Sequence, residues 1–308
     1  MSSFINNYYY GKAGKADFTE DDMPTNRFQL FFTTLRLHLS GLVGMNLLYV
    51  LFALPALAWT MINFSVMINT LESPEADATL SYMTVYVMGM IPCMALVGVG
   101  LSGIAYILRN WSRDQHTFTM SDLKDSIKTN WKLGLLEGLW TGVAMCAAWI
   151  SYVFYGRMAA MRSVFFTIPQ VLVLTICALF IMSTMLAYPM LVTYDLKFRH
   201  VVRNSILLTL KRLPLSLAVF VPSIAIPLAI LLLFGGTQYG MLILFLLYLL
   251  FGFAFTEFVY VSYANACFDK YLNPMIEGAP VNMGMRAKTD DDDDEEEEEG
   301  NKEEAPKA

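Results

Sequence analysis

Two acidic residues stand where charge is costly. Glu257 lies inside the apolar stretch FGFAFTEFVYVSY, and Glu137 lies inside GLLEGLWTG. An ionised carboxylate in hydrocarbon is expensive, so such residues face the protein interior or water. Glu257 reads either as a contact for a proton or solute, or as a neutral structural acid or partner contact. Glu137 has Gly134, Gly138 and Gly142 beside it, a doubled small-xxx-small spacing that lets helices approach closely. Helix packing is the leading reading there, with the carboxyl snorkelling to the nearby interface. Asn46 is a third polar residue at membrane depth.

Other chemistry is thinly represented. His38, His116 and His200 are the only histidines, and each has a basic residue within a few positions. Metal sites need neutral imidazoles, commonly with thiolate or carboxylate neighbours, so no metal is expected. Cys93, Cys146, Cys177 and Cys267 form no CxxC pair and read as small buried residues. No nucleophile-and-base motif, HExxH or phosphate-binding loop is present. A non-enzymatic protein without cofactor is expected. No basic patch with interleaved aromatics points to nucleic acid.

The elements that position these residues follow from apolar length. Hydrophobic types make up 56% of 308 residues and charged types only 16%, against about 25% charge in soluble domains. Crossing a bilayer takes about 20 apolar residues. Six stretches meet that length, at 42–63, 82–108, 133–155, 164–193, 214–234 and 241–268. The first forty residues lack an early apolar core, so the first span is expected to act as its own insertion signal. Arg109, Arg113, Lys124, Lys128 and Lys132 follow the second span, and Lys197, Arg199, Arg203, Lys211 and Arg212 follow the fourth. The opposite loops hold only Arg157 and Arg162. The positive-inside rule then puts both termini in the cytoplasm of a multi-pass cell-membrane protein.

Each outgoing span follows a helix with one apolar side. Phe28, Phe31, Phe32, Leu35 and Leu39 share a face in the first. Met120, Leu123, Ile127 and Trp131 share one in the second, starting with Thr119 and Asp122 at capping-box spacing and Phe118 and Leu123 at staple spacing. The third, 198–212, is strongly basic. Gly41, Gly134 and Pro214 read as equivalent corners into the spans. The expected fold class is all-α: a polytopic membrane helix bundle of about six transmembrane helices, in a threefold repeat of cytoplasmic amphipathic helix plus helical hairpin. In the second helix, Lys124, Asp125 and Lys128 read as a partner-docking face, with Trp131 resting on the bundle or in the headgroup layer. Contact with anionic lipid, or plain positive-inside bias, explains the same charge. Pro55, Pro92, Pro169, Pro189, Pro222 and Pro227 lie inside spans, where they line pathways or merely bend helices.

The motifs resemble the YesL-like family of bacterial membrane proteins, a family defined as a domain of unknown function. The likeness runs from YYYGKAGKADFTEDDMP, through NLLYVLFALP with Asn46 and Pro55, to YILRNWSRDQHTFTMSDLKDSIKTNWKLGL. In the last stretch Arg109, Asn110, Trp111, Arg113, Asp122, Asn130, Trp131 and Lys132 match the pattern. YPMLVTYDLKFRHVVRNSILLTLKRLPLSL matches again. The resemblance covers about residues 4–272. It implies a setting beside carbohydrate ABC importers.

The expected function is an integral membrane accessory or regulatory subunit associated with a carbohydrate ABC importer. The alternative is a stand-alone small-solute transporter or channel. The chain lacks the EAA-type coupling loop of an importer permease and any ATPase motif. Expected partners are membrane lipids and carbohydrate importer permease subunits. The expected divisions are a cytoplasmic segment 1–25, a membrane domain 26–272 and a disordered acidic cytoplasmic tail 273–308. The tail holds ten consecutive acids at 290–299, and removing them from the net charge of −6 leaves +4.

Overall fold

A computed structural model describes residues 23–71, 76–234 and 237–286. The acidic run at 290–299 and the residues before Met23 lie outside the described part.

The described chain folds into helices joined by short connections. In order they are α1 (Arg27–Leu37), α2 (Leu39–Leu71), α3 (Ala76–Trp111), α4 (Thr119–Met161), α5 (Thr167–Thr193), α6 (Phe198–Lys211), α7 (Leu213–Phe234), α8 (Gln238–Leu247) and α9 (Phe253–Tyr271). A five-residue π-helical turn, Tyr248–Gly252, joins α8 to α9 into one span. Among the described residues, six helical stretches are long and apolar enough to cross a membrane. Helices suit that setting because each satisfies its own backbone polar groups without water.

The apolar core gathers at the end of the bundle that carries most Lys and Arg, here the basic end. Leu42 and Met45 of α2, Ile104 and Leu108 of α3, Leu186 and Met190 of α5, and Phe258 and Phe268 of α9 are all buried there. Toward the far end large apolar side chains such as Phe64, Phe154, Leu172 and Leu232 are exposed. That surface suits lipid, whose tails are as apolar as leucine.

The order of a short helix before a hairpin recurs at α1 and α6, but the middle unit departs from it. There the amphipathic segment and the span form one continuous 43-residue helix, α4. At 1.5 Å per residue it runs about 65 Å, about twice the hydrocarbon core of a bilayer. Gly134 is therefore not a corner. Its missing side chain serves helix contact instead, as described below. The true breaks are at His38 and Arg212, where the chain leaves helical geometry. Pro214 then falls in the first turn of α7, where a missing N–H costs nothing.

The helix starts also differ from expectation. Phe118 is exposed and does not staple Leu123. Asp122 accepts a hydrogen bond from the Phe118 N–H at 2.9 Å, and Thr119 takes no part in the cap. The reciprocal cap is on α1. Asn26 accepts from the Gln29 N–H at 2.8 Å, and the Gln29 side chain reaches back to the Thr25 N–H at 3.0 Å.

Residues 273–286, expected to belong to the tail, fold back onto the basic end. The Arg286 N–H donates to the Pro24 carbonyl at 3.0 Å. Asn273 donates to the Pro280 carbonyl at 3.1 Å. The packed domain thus extends past the expected boundary at 272, to Arg286.

Candidate functional site

Glu257 opens onto a cavity of about 250 Å³ inside the bundle. Its walls are Tyr49 of α2, Leu101 of α3, Thr184, Met185 and Tyr188 of α5, and Ser223 of α7. Tyr248, Phe253, Thr256 and Tyr260 of the last span complete them. Glu257 is 9% exposed, and no hydrogen-bond partner holds its carboxyl among the described residues. It lies near the middle of the span Leu242–Met275. Tyr260 donates to or accepts from Ser223 Oγ at 2.5 Å, tying α9 to α7.

Asn46 shapes this chamber from behind. Its Nδ2 donates to the carbonyls of Tyr248 and Leu249, at 2.9 and 2.7 Å. Its Oδ1 accepts from the Ala254 N–H at 2.8 Å. A π-helical turn puts backbone groups out of register with the α-helical ladder, and such turns recur at functional sites. Asn46 supplies partners for backbone groups at and just after the turn. The turn in turn places Tyr248 on the chamber wall. Tyr49 and Tyr248 both pack against the ring of Phe253, at 4.9 and 5.2 Å between centroids.

Glu137 lies on α4, beside the glycines that meet α3. Tyr188 lies within electrostatic reach of Glu137, Glu257 and Tyr49. Glu137 is only 2% exposed and its Oε2 is buried without a partner. It does not snorkel. The glycines beside it draw α3 so close that the carboxyl has no route to water. A Cβ at Gly138 would sit 2.1 Å from the Met94 carbonyl oxygen, and one at Gly134 would sit 2.5 Å from that of Gly98. A Cβ at Gly142 would sit 3.0 Å from the Ile91 Cα.

A second polar cluster caps the basic end. Arg27 pairs with Asp269, and its guanidinium also donates to Asn282 Oδ1 at 2.8 Å. Tyr194 donates to Asn273 Oδ1 at 2.6 Å. Arg109 donates to the Val192 carbonyl at 2.7 Å and lies over the Tyr106 ring. Arg113 is 7% exposed, with Nε and Nη2 lacking partners. Burial lowers its pKa from the ordinary guanidinium value, while Asp269 and Tyr194 oppose that shift and Arg27 adds to it. Burial likewise raises the Tyr194 phenol to about 12, against the pull of Arg113. These contacts join α1, the α3–α4 loop, the α5–α6 loop and the chain after α9. They explain why Arg109, Asn110, Trp111 and Arg113 form a dense motif: the stretch is the hub of this end.

The docking candidates lie apart from the Glu257 chamber, and Asp125 shares a cavity with Tyr194 of the basic-end cluster. Lys124, Asp125 and Lys128 are exposed on the polar part of α4. Trp131 is 44% exposed rather than buried, and Met120 is exposed too. Only Leu123 of that apolar stripe is fully covered, with Ser126 buried beside it. A cavity of about 460 Å³, bordered by Asp122, Asp125, Asn130, Tyr194 and Asp195, lies against this segment. The histidines are scattered, with His38 stacked on Trp111 at 4.5 Å and His116 edge-on to Phe118. Among the described residues, no three His, Cys, Asp or Glu side chains gather into a metal-sized cluster.

The chamber tyrosines were not singled out from sequence. Their signal is depth. Tyrosine favours the two membrane interfaces, yet Tyr49, Tyr188 and Tyr260 line a cavity beside an intramembrane acid. Comparison with protein-family models, with characterised proteins and with solved structures finds no match for this chain.

Proposed function

We propose that this chain is a non-enzymatic, multi-pass cell-membrane protein that binds a small polar solute in the chamber around Glu257. Both termini lie in the cytoplasm, as the distribution of Lys and Arg supports. The observation that carries the reading is the unpartnered Glu257 carboxyl in a cavity ringed by hydroxyls. Burying an acid without a partner is unfavourable. A bound solute offsets that cost by supplying the missing hydrogen-bond partner. Purified protein should gain thermal stability from its solute, because a ligand that binds only the folded state stabilises it by mass action. A screen of sugars, polyols and amines by thermal shift, repeated with Glu257→Gln, tests this. A solute that stabilises both proteins equally binds elsewhere, and the chamber reading then fails.

A second reading is an accessory subunit of a carbohydrate ABC importer. The resemblance supports it, and so does the exposed face of Lys124, Asp125 and Lys128 on a helix too long for the bilayer alone. Reversing Lys124 and Lys128 to Glu should abolish co-purification of an importer permease while the protein stays monodisperse. Equal capture of that permease by the reversed protein would sink the reading.

A further inference from the structure

The chamber does not stop at its polar walls. Ser223, Tyr248 and Thr256 also line a second cavity, of about 430 Å³, between α7 and the last span. Its other walls are almost wholly apolar, with Pro222, Ile226, Pro227, Leu247, Phe251 and Phe255 among them. The gap has a structural cause. Two prolines interrupt the backbone bonding of α7, and the π-helical turn lies opposite them. The straight ridges that would close the seam are missing on both sides. Side-chain bonds such as Ser216 to Tyr263 and Ser223 to Tyr260 tie the two helices.

We propose that the two cavities form one site for a single-chain amphiphile with an ammonium head, which enters sideways from the bilayer. This rests on the reading that the Glu257 chamber binds a small polar group, and makes that group the head of a longer molecule. The crevice takes the hydrocarbon chain, since its polar lining, Ser223, Tyr248 and Thr256, is shared with the chamber and the rest is almost wholly apolar. The chamber takes the head. Among the described residues no Lys or Arg lines it, so an anionic head finds no counter-charge there. An ammonium head is attracted to the Glu257 carboxyl by charge and gains from nearby aromatic rings, the combination that recognises such cations. A free sugar would leave the crevice unused.

The test measures binding of radiolabelled dodecyltrimethylammonium to the full chain in digitonin, whose rigid ring system is not a single alkyl chain. Saturable binding is expected, with competition by dodecylamine and none by dodecanoate. Tetramethylammonium, the head alone, should bind at least about tenfold more weakly. Glu257→Gln removes the charge attraction, the only polar interaction a trimethylammonium head can make with this residue, and should weaken the labelled ligand by about tenfold or more. Ile226→Trp should fill the crevice, weakening the labelled ligand while leaving tetramethylammonium unchanged. Size-exclusion profiles confirm that both variants are folded. If Glu257→Gln matters but chain length and Ile226→Trp do not, the crevice is no part of the site. The amphiphile proposal then fails while the chamber reading stands. If Glu257→Gln alters binding of no cationic, neutral or anionic ligand, both fail. If added phosphatidylethanolamine displaces the label at equal concentration, the occupant is ordinary bilayer lipid and the single-chain assignment is wrong.

Discussion

The seam between α3 and α4 and the seam between α7 and α9 both join apolar helices long enough to span a bilayer. One is shut and the other gapes. At the first, Gly98, Gly134 and Gly138 bring two backbones nearly into contact. At the second, a cavity of about 430 Å³ remains. Lipid tails compete with every apolar side chain, so hydrophobicity does not drive helices together in a bilayer. Close packing does, and it needs straight helices with small residues in register. The α3–α4 pair has these. The α7–α9 pair has Pro222 and Pro227 against a π-helical turn. Backbone regularity therefore decides which seam is structural and which is left for a ligand.

Breaking the closed seam should have the largest effect. Gly138→Leu should prevent recovery of monodisperse protein, because even a Cβ there meets the Met94 carbonyl at 2.1 Å. The milder Gly138→Ala should cost at least about 1–3 kcal/mol, the usual penalty for overpacking. Ile226→Ala in the open seam should leave the melting temperature nearly unchanged. If Gly138→Ala melts like the parent, the two seams do not differ as described.

Asn46→Leu should come next, because it sharpens the origin of the open seam. It removes the partners of the Tyr248 and Leu249 carbonyls and of the Ala254 N–H. Each buried group left unpaired costs about 1–3 kcal/mol. The turn should relax toward α-helix, and the loss of stability should come with loss of ligand binding at Glu257. Retained binding in a destabilised variant would separate the turn from the chamber.

Trp131→Ala should cost only about 1 kcal/mol or less, since the side chain is 44% exposed and surface changes are mild. Full burial would have implied about 3–5 kcal/mol. A drop of that size in chemical denaturation would mean that a partner or a second copy covers α4.

The smallest effect concerns pH at the basic end. Burial against Trp111 holds the His38 pKa below its ordinary value of 6.5, with Asp114 opposing. The unfolded chain then takes up a proton more readily than the folded one. Stability is full above about pH 6.5 and falls as pH drops through the window below it. The melting temperature should therefore decline modestly on acidification, and His38→Gln should flatten that decline. An unchanged slope would place the pH response elsewhere.

Sequence determined the number of spans and their helical nature. Apolar length alone sets a span, and nothing distant in the chain alters that. Charge placed Glu257 and Glu137 in the membrane, and spacing marked the Gly134, Gly138 and Gly142 stripe. Three things needed the tertiary structure. The role of Gly134 is one, because a glycine that turns a helix and one that seats a neighbouring helix look alike in one dimension. The exposure of Trp131 is another. An apolar stripe shows that a face avoids water but not whether protein, lipid or nothing covers it. The chamber itself was invisible. Tyr49, Tyr188 and Glu257 lie on three different helices, and their meeting depends on helix packing that no local pattern records. Residue types determine what each helix can do in a bilayer, and the contact of one backbone with another decides what those residues do together.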